Sequence, residues 1–234
     1  MMSQTPRVVE VRKNVLKQND ILARALRDRF REAGVFVVNV VSSPGAGKTT
    51  LLEHTLTDLQ SRYRTASVVG DLATENDARR LARSGALVEQ ITTGTVCHLD
   101  ATMIERVIDG WDLTDLDFLF IENVGNLVCP ASYDLGENLR FVLMSVTEGE
   151  DKPLKYPTIF NSADVAVITK ADIADAVEFD WETACNNIQA VRPGMQTLRV
   201  SAKTGAGMPD YVGVVESHRS QMRDTTLAPS PARA

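Results

Sequence analysis

Val35-Phe36-Val37-Val38-Asn39-Val40-Val41 runs directly into Ser42-Ser43-Pro44-Gly45-Ala46-Gly47-Lys48-Thr49-Thr50, and Leu51-Leu52 then opens a helix-spaced pattern. A near-continuous apolar run reads as a strand buried on both faces. Followed by a glycine turn and a helix N-terminus, it makes the frame of a phosphate-binding loop. The glycines let successive backbone N–H groups converge on anionic oxygens, and the helix dipole adds positive potential there. Gly45, Ala46, Gly47 and Thr50 belong to this cradle, Lys48 is placed to reach the β- and γ-phosphates, and the Thr49 hydroxyl to ligate Mg2+. The generic pattern opens on glycine; here that position is Ser42.

With 234 residues and a formal charge of −6, the chain has the size and balance of an ordinary globular protein. An acidic balance argues against nucleic acid as partner. No run of eighteen apolar residues is present, so no membrane span is expected. The first thirty residues hold no apolar stretch of the signal-peptide kind. Three scattered cysteines suit a reducing compartment better than a disulfide framework. A cytoplasmic setting is therefore expected.

Around the opening stretch, apolar runs at Thr65–Gly70, Ala86–Ile91, Phe118–Ile121, Arg140–Val146, Asp164–Ile168 and Thr197–Val200 read as further strands. Helical spacing spans Arg12–Ala33, Thr49–Gln60, a stretch capped by Thr74 and ending near Ala82, Leu99–Ile108 and Trp181–Val191, with a last helix ending near Arg219. Residues 1–11 are expected to be poorly ordered, and Glu148–Lys155 to be a charged loop. The division is an N-terminal segment and helix (1–34), one nucleotide-binding domain (35–222) and a Pro/Ala/Ser-rich disordered tail (223–234). Strands alternating with helices imply an α/β fold, a doubly wound, mostly parallel sheet with helices on both faces. In such a sheet ligands collect at the carboxyl ends of the strands. Asp71, Cys97-His98, Glu122, Lys170, Asp172 and Ser201-Ala202-Lys203 all follow strands, so all are expected on the rim that carries the glycine turn.

Each of these positions suits a step of nucleotide chemistry. Glu122, ending a buried strand, is the candidate Mg2+ carboxylate, and Asp71 the candidate in a switch loop, beside Lys48 as the catalytic cation. Thr169-Lys170-Ala171-Asp172 matches the guanine-reading pattern N-K-x-D, with Thr169 where Asn is usual. The Asp accepts from guanine N1–H and the exocyclic amine, and adenine offers no such donor pair. Ser201-Ala202-Lys203 resembles the loop whose backbone N–H meets guanine O6. GTP and GDP are therefore expected over ATP. Cys97, His98 and Cys129 form a soft-to-borderline donor set suited to Ni2+ or Zn2+, against the bland alternative of cysteines as small core hydrophobes. Cys185, His54 and His218 read as ordinary packing residues.

Ser42–Thr49, Gly70-Asp71-Leu72-Ala73-Thr74, Cys97-His98-Leu99-Asp100-Ala101, Glu122–Pro130, Glu148–Pro157 and Ser201–Gly205 together resemble the HypB GTPases, accessory proteins of hydrogenase nickel incorporation. The resemblance covers about Val35 to Met208, and it makes the Ser42 departure a family trait. It implies a SIMIBI-class GTPase that hydrolyses GTP while nickel is delivered to a NiFe-hydrogenase large-subunit precursor. It further implies a homodimer when GTP is bound, a Ni/Zn site at Cys97, His98 and Cys129 near the dimer interface, and a HypA-type nickel metallochaperone as partner. Two features of some relatives, an N-terminal cysteine-containing motif and a histidine-rich tract, are missing. Lys152 and Lys155 read equally as reaching a neighbouring subunit's phosphates or as a solvated charged loop. A related urease GTPase, whose motif is usually Cys-Pro-His, a small-molecule kinase and a passive metal binder are the alternatives.

Overall fold

The computed structural model describes residues 7–227, with side chains described for 13–224. Seven strands form one sheet: β1 (Phe36–Ser42), β2 (Thr65–Asp71), β3 (Leu87–Thr92), β4 (Phe118–Glu122), β5 (Leu139–Ser145), β6 (Val165–Thr169) and β7 (Gln196–Arg199), in the order β3-β2-β4-β1-β5-β6-β7. Every pairing is parallel. The carboxyl ends therefore share one rim, as the alternation of strands and helices predicts. β1, β4, β5 and β6 are buried along their whole length, which is why they read as near-continuous apolar runs, interrupted at Asn39 in β1 and Arg140 in β5.

One face is covered by α2 (Lys48–Leu59), α3 (Asn76–Ala82) and α8 (Met208–Leu227), whose Leu52, Leu56, Leu81 and Tyr211 pack on Val38, Val40, Phe120 and Phe141. On the other face α1 (Arg7–Ala33) and α4 (Ala101–Ile108) cover β2 and β4, and α6 (Pro157–Ser162) and α7 (Trp181–Val191) cover β5 and β6. Between those two patches the second face turns polar. Asn39, wholly buried in β1, donates to Glu137, which in turn receives the Arg140 guanidinium. Among the described residues no helix is long and apolar enough to cross a membrane.

Several boundaries differ from expectation, each for a local reason. Helix α1 begins at Arg7, so residues 7–11 are helical rather than poorly ordered; residues 1–6 lie outside the described part. The stretch 7–33 holds no Gly or Pro, and extending a nucleated helix costs little. Helix α3 begins at Asn76 with Glu75 in the N-cap position and no side-chain cap bond; the Thr74 hydroxyl donates to Asp71 instead, at 2.7 Å. Helix α4 starts at Ala101, with Asp100 accepting from the Met103 N–H. The charged stretch Glu148–Lys155 ends in a helical turn, α5 (Lys152–Lys155), directly before α6. Both have proline in their first turn, where its missing N–H does no harm, and both are too short to show a helical period. Helix α8 continues past Arg219 to Leu227, into the stretch expected to be disordered; residues 228–234 lie outside the described part.

The turn into α8 depends on Gly207, at φ +74°, where a Cβ would sit 2.0 Å from the Arg199 carbonyl oxygen. Gly207→Ala is expected to lower stability by about 3 kcal/mol, from left-handed strain plus a backbone clash. Urea unfolding followed by circular dichroism measures it.

Candidate functional site

The loop between β1 and α2 has Gly45 at φ +76° and Gly47 at φ +95°, conformations that a Cβ would penalise. Gly47, at the N-cap of α2, makes no side-chain cap bond, which leaves the first N–H groups of a helix available to an anion. Lys48 is buried and donates to Ser42 Oγ at 3.0 Å; Ser42 thus places a hydroxyl, where the generic pattern has glycine, against the lysine. Burial pulls the Lys48 ammonium below its ordinary pKa, opposed by Glu122, Asp77, Glu148 and Asp71.

Thr49 Oγ1 donates to Glu122 Oε1 at 2.7 Å. Glu122 is 3% exposed, and its second oxygen, Oε2, is buried with no hydrogen-bond partner among the described residues. A hydroxyl and a carboxylate with a spare oxygen are a hard donor set that fits Mg2+. Asp71 lines the same cleft. Its Oδ1 accepts from the Leu72 N–H at 2.6 Å, and its Oδ2 from Thr74 Oγ1. Partial burial pushes this carboxyl upward, but the Thr74 and Leu72 bonds hold it below the usual carboxylate range. Asp71 thus stands ionised and already serves as the keystone of its own loop.

Three residues that sequence reasoning missed join this end of the cleft. Asp77 and Arg80, one helical turn apart on α3, line it, and Arg80 donates to Thr50 Oγ1 at 3.1 Å and Glu53 Oε2 at 2.8 Å. Their i,i+3 spacing was the available signal. Glu148 accepts from the Ser43 hydroxyl and from the Ser145 N–H, tying the loop after β5 to the glycine turn; nothing local announces that contact.

Beside this cleft lies a cavity of about 270 Å³ lined by Ala46, Thr169, Lys170, Asp172, Ser201, Ala202 and Lys203, among others. Lys170 takes a left-handed conformation, φ +58°, and lines both chambers. Asp172 Oδ1 accepts from Ser201 Oγ at 2.6 Å, joining the two loops expected to meet. Thr169 donates its hydroxyl to the Ala46 carbonyl at 2.6 Å. The residue in place of Asn therefore anchors the glycine turn to β6.

Cys97, His98 and Cys129 also come together, with one ligand atom from each within 4.8 Å of the others. The two sulfurs are 2.7 Å apart, outside the disulfide bond length of about 2.05 Å. The His98 ring stacks on Tyr133 at 3.8 Å. Its Nδ1 is buried with no hydrogen-bond partner among the described residues, and burial lowers its pKa against the pull of Asp100, favouring the neutral ring that binds metals. Two thiols and an orphaned imidazole nitrogen fit Ni2+ or Zn2+. Cys185, His54 and His218 stand outside the cluster.

Glu122 generates a pH dependence. Burial pushes its carboxyl from 4.5 up to about 7, against the pull of Lys48 and the Thr49 hydroxyl. A raised folded-state pKa contributes stability that is full below pH 4.5 and lost as pH rises through 7. From pH 5 to pH 8 the nucleotide-free protein in EDTA is expected to lose about 2–3 kcal/mol relative to Glu122→Gln. Paired denaturant titrations at the two pH values check it; a pH-independent difference contradicts it.

Residues 36–199 match the family model described as CobW/HypB/UreG, nucleotide-binding domain. The chain is 47% identical over 215 residues to a Rhizobium leguminosarum protein named hydrogenase maturation factor HypB, covering 92% of this chain and 72% of that one. It is 41% identical over 222 residues to a Helicobacter pylori protein named hydrogenase/urease maturation factor HypB, covering 93% and 91%. The crystal structure of HypB from Helicobacter pylori in complex with nickel superposes with a TM-score of 0.82 at 42% identity, covering 87% of this chain and 96% of that one. The chain therefore belongs to the CobW/HypB/UreG family of nucleotide-binding proteins, and within it to the HypB hydrogenase maturation factors.

Proposed function

We propose that this protein is a GTP-hydrolysing nickel carrier that serves a NiFe-hydrogenase large-subunit precursor, with GTP and Mg2+ in the cleft and Ni2+ or Zn2+ at Cys97, His98 and Cys129. The observation that supports this most directly is one short segment. Glu122 begins it against Thr49, Gly125 packs on the glycine turn, where a Cβ would lie 3.0 Å from Pro44 Cα, and Cys129 ends it in the thiol cluster. A change at the phosphates therefore has a covalent route to a metal ligand.

When bound, Mg2+ neutralises charge developing on the β- and γ-phosphates. The chain's own residues do the rest. The N–H groups of the glycine turn and of the start of α2 bind the phosphates, Lys48 sets the γ-phosphate, and Thr49 and Glu122 offer oxygen ligands. Asp71, held ionised by its loop, is the candidate that orients the attacking water. Asp172 selects guanine, and Lys170 packs its stem on the base. Loss of the γ-phosphate releases the post-β4 segment, and the metal ligands rearrange with it.

The family resemblance supports a GTP-bound homodimer, with the exposed Val128 beside Cys129 near its interface, a HypA-type metallochaperone as nickel donor, and a cytoplasmic setting. The Rhizobium leguminosarum relative is named for hydrogenase maturation alone and the Helicobacter pylori one for hydrogenase and urease together; the first name, and a Cys97-His98 order that differs from the Cys-Pro-His usual in urease GTPases, favour hydrogenase as the destination.

Steady GTP hydrolysis without any phosphoryl acceptor is expected, and a requirement for an acceptor would establish a kinase instead. Lys48→Ala is expected to weaken GTP binding at least tenfold and abolish turnover. Asp172→Asn exchanges an acceptor pair for one donor and one acceptor. It is expected to lower GTP affinity by about 100-fold or more and to raise affinity for XTP, whose ring carries an oxygen where guanine has its amine. Nucleotide titration calorimetry reads both, and unchanged GTP binding in Asp172→Asn would move base selection elsewhere.

A further inference from the structure

The donor set comes from two separate connections. Cys129 lies on the segment after β4, whereas Cys97 and His98 lie after β3, with no short covalent path to the nucleotide. Two asparagine side chains close the gap. Asn126 donates its amide N–H to the Cys97 carbonyl at 3.3 Å, while its oxygen accepts from the Val128 N–H at 2.8 Å. Asn123, wholly buried, accepts from the Leu99 N–H at 3.2 Å and from its own loop's Val124 N–H at 3.0 Å. Cys97-His98 is thus bracketed, its leading carbonyl held by one asparagine and the following N–H by the other.

The bracket is stiff on both sides. Between the two asparagines, Gly125 packs closely on Pro44, where a Cβ would lie 3.0 Å from Pro44 Cα. Beyond the bracket, Leu99 is fully buried and fills the place where a Cβ on Gly70 would lie, 2.8 Å from Leu99 Cγ. Each asparagine also satisfies an N–H of its own loop. Each then makes one bond across to the other connection, Asn126 through its amide N–H and Asn123 through its oxygen, which satisfying its own loop does not require; the Asn123 amide N–H donates to Asn39 of β1 at 3.5 Å.

We infer that Asn123 and Asn126 are positioning residues, an amide clasp that makes the Cys97-His98 half of the donor set follow the post-β4 segment, so that nucleotide state reaches all three metal ligands rather than Cys129 alone. This rests on the nucleotide-coupled metal reading above. A polar clasp suits the task because its bonds are directional and low in number, so a small displacement of the segment changes the Cys97 carbonyl and the Leu99 N–H together.

Asn126→Asp tests it cleanly, since the carboxylate still accepts from Val128 but faces the Cys97 carbonyl with an acceptor. Ni2+ affinity is measured by equilibrium titration with GDP and with a non-hydrolysable GTP analogue, in wild type and variant. The wild type is expected to show a ratio of about fivefold or more between nucleotides, and the variant a ratio within about twofold of unity, with its GDP-state Ni2+ affinity kept within about threefold. A full ratio in the variant overturns the clasp and leaves the coupling reading standing; no ratio in the wild type overturns both. A second measurement needs no variant. Exchange of the Leu99 amide hydrogen in the Ni2+-loaded wild type is expected to differ between the two nucleotides, and equal protection overturns the clasp.

Discussion

A carboxylate taken out of water sets the terms for this molecule. Glu122 ends a fully buried strand, touches the Thr49 hydroxyl with one oxygen and has no protein partner among the described residues for the other. Left alone, such a group favours its proton; opposite a hard cation it becomes a strong ligand. The burial that makes Glu122 costly without a ligand makes it responsive to one. Because the chain runs from Glu122 through Gly125 to Cys129, the proposed function has that response start beside the phosphates and end at the thiol cluster.

The sheet makes that proximity possible. Placing β1 between β4 and β5 puts the glycine turn beside both the Glu122 segment and the Glu148 loop, and placing β3 beyond β2 brings Cys97 round to the same rim. The polar seam on the second face serves the same region from below. Arg140 and Glu137 pair with side chains only 8% and 6% exposed, and Arg140 also donates to the Tyr133 carbonyl at 2.8 Å. Tyr133 is the wall against which His98 stacks. Buried ion pairs contribute little net stability but strongly disfavour losing one partner, which suits them to fixing such a wall. From α1, Asn19 donates to the Asp134 carbonyl and accepts from the Ala101 N–H, linking that helix to the connections that carry Tyr133 and His98.

Much of this could be read from the chain because the information is local. A strand, a glycine turn and Lys48-Thr49 form one continuous phrase, strand ends mark Asp71 and Glu122, and parallel order converts those ends into one rim. Cys97-His98 and Cys129 needed the family resemblance as well, since three dispersed ligands are ambiguous alone. What escaped was non-local or too short. Glu148 reaches Ser43 across more than a hundred residues, and Tyr133 meets His98 from another connection. Helix α5 is a single turn, below any period. Thr169 shows the limit from the other side. Its departure from Asn was plain in the sequence, but its bond to the Ala46 carbonyl required the folded chain.

The central claim is that the metal's own ligands move with the nucleotide. The most direct measurement is the thiolate-to-nickel charge-transfer spectrum of the Ni2+-loaded protein, recorded with GDP and again after exchange for a non-hydrolysable GTP analogue. A change in band position or intensity is the predicted result, because Cys97 and Cys129 would be set differently around the ion. Superimposable spectra, with both nucleotides shown to be bound, would contradict it.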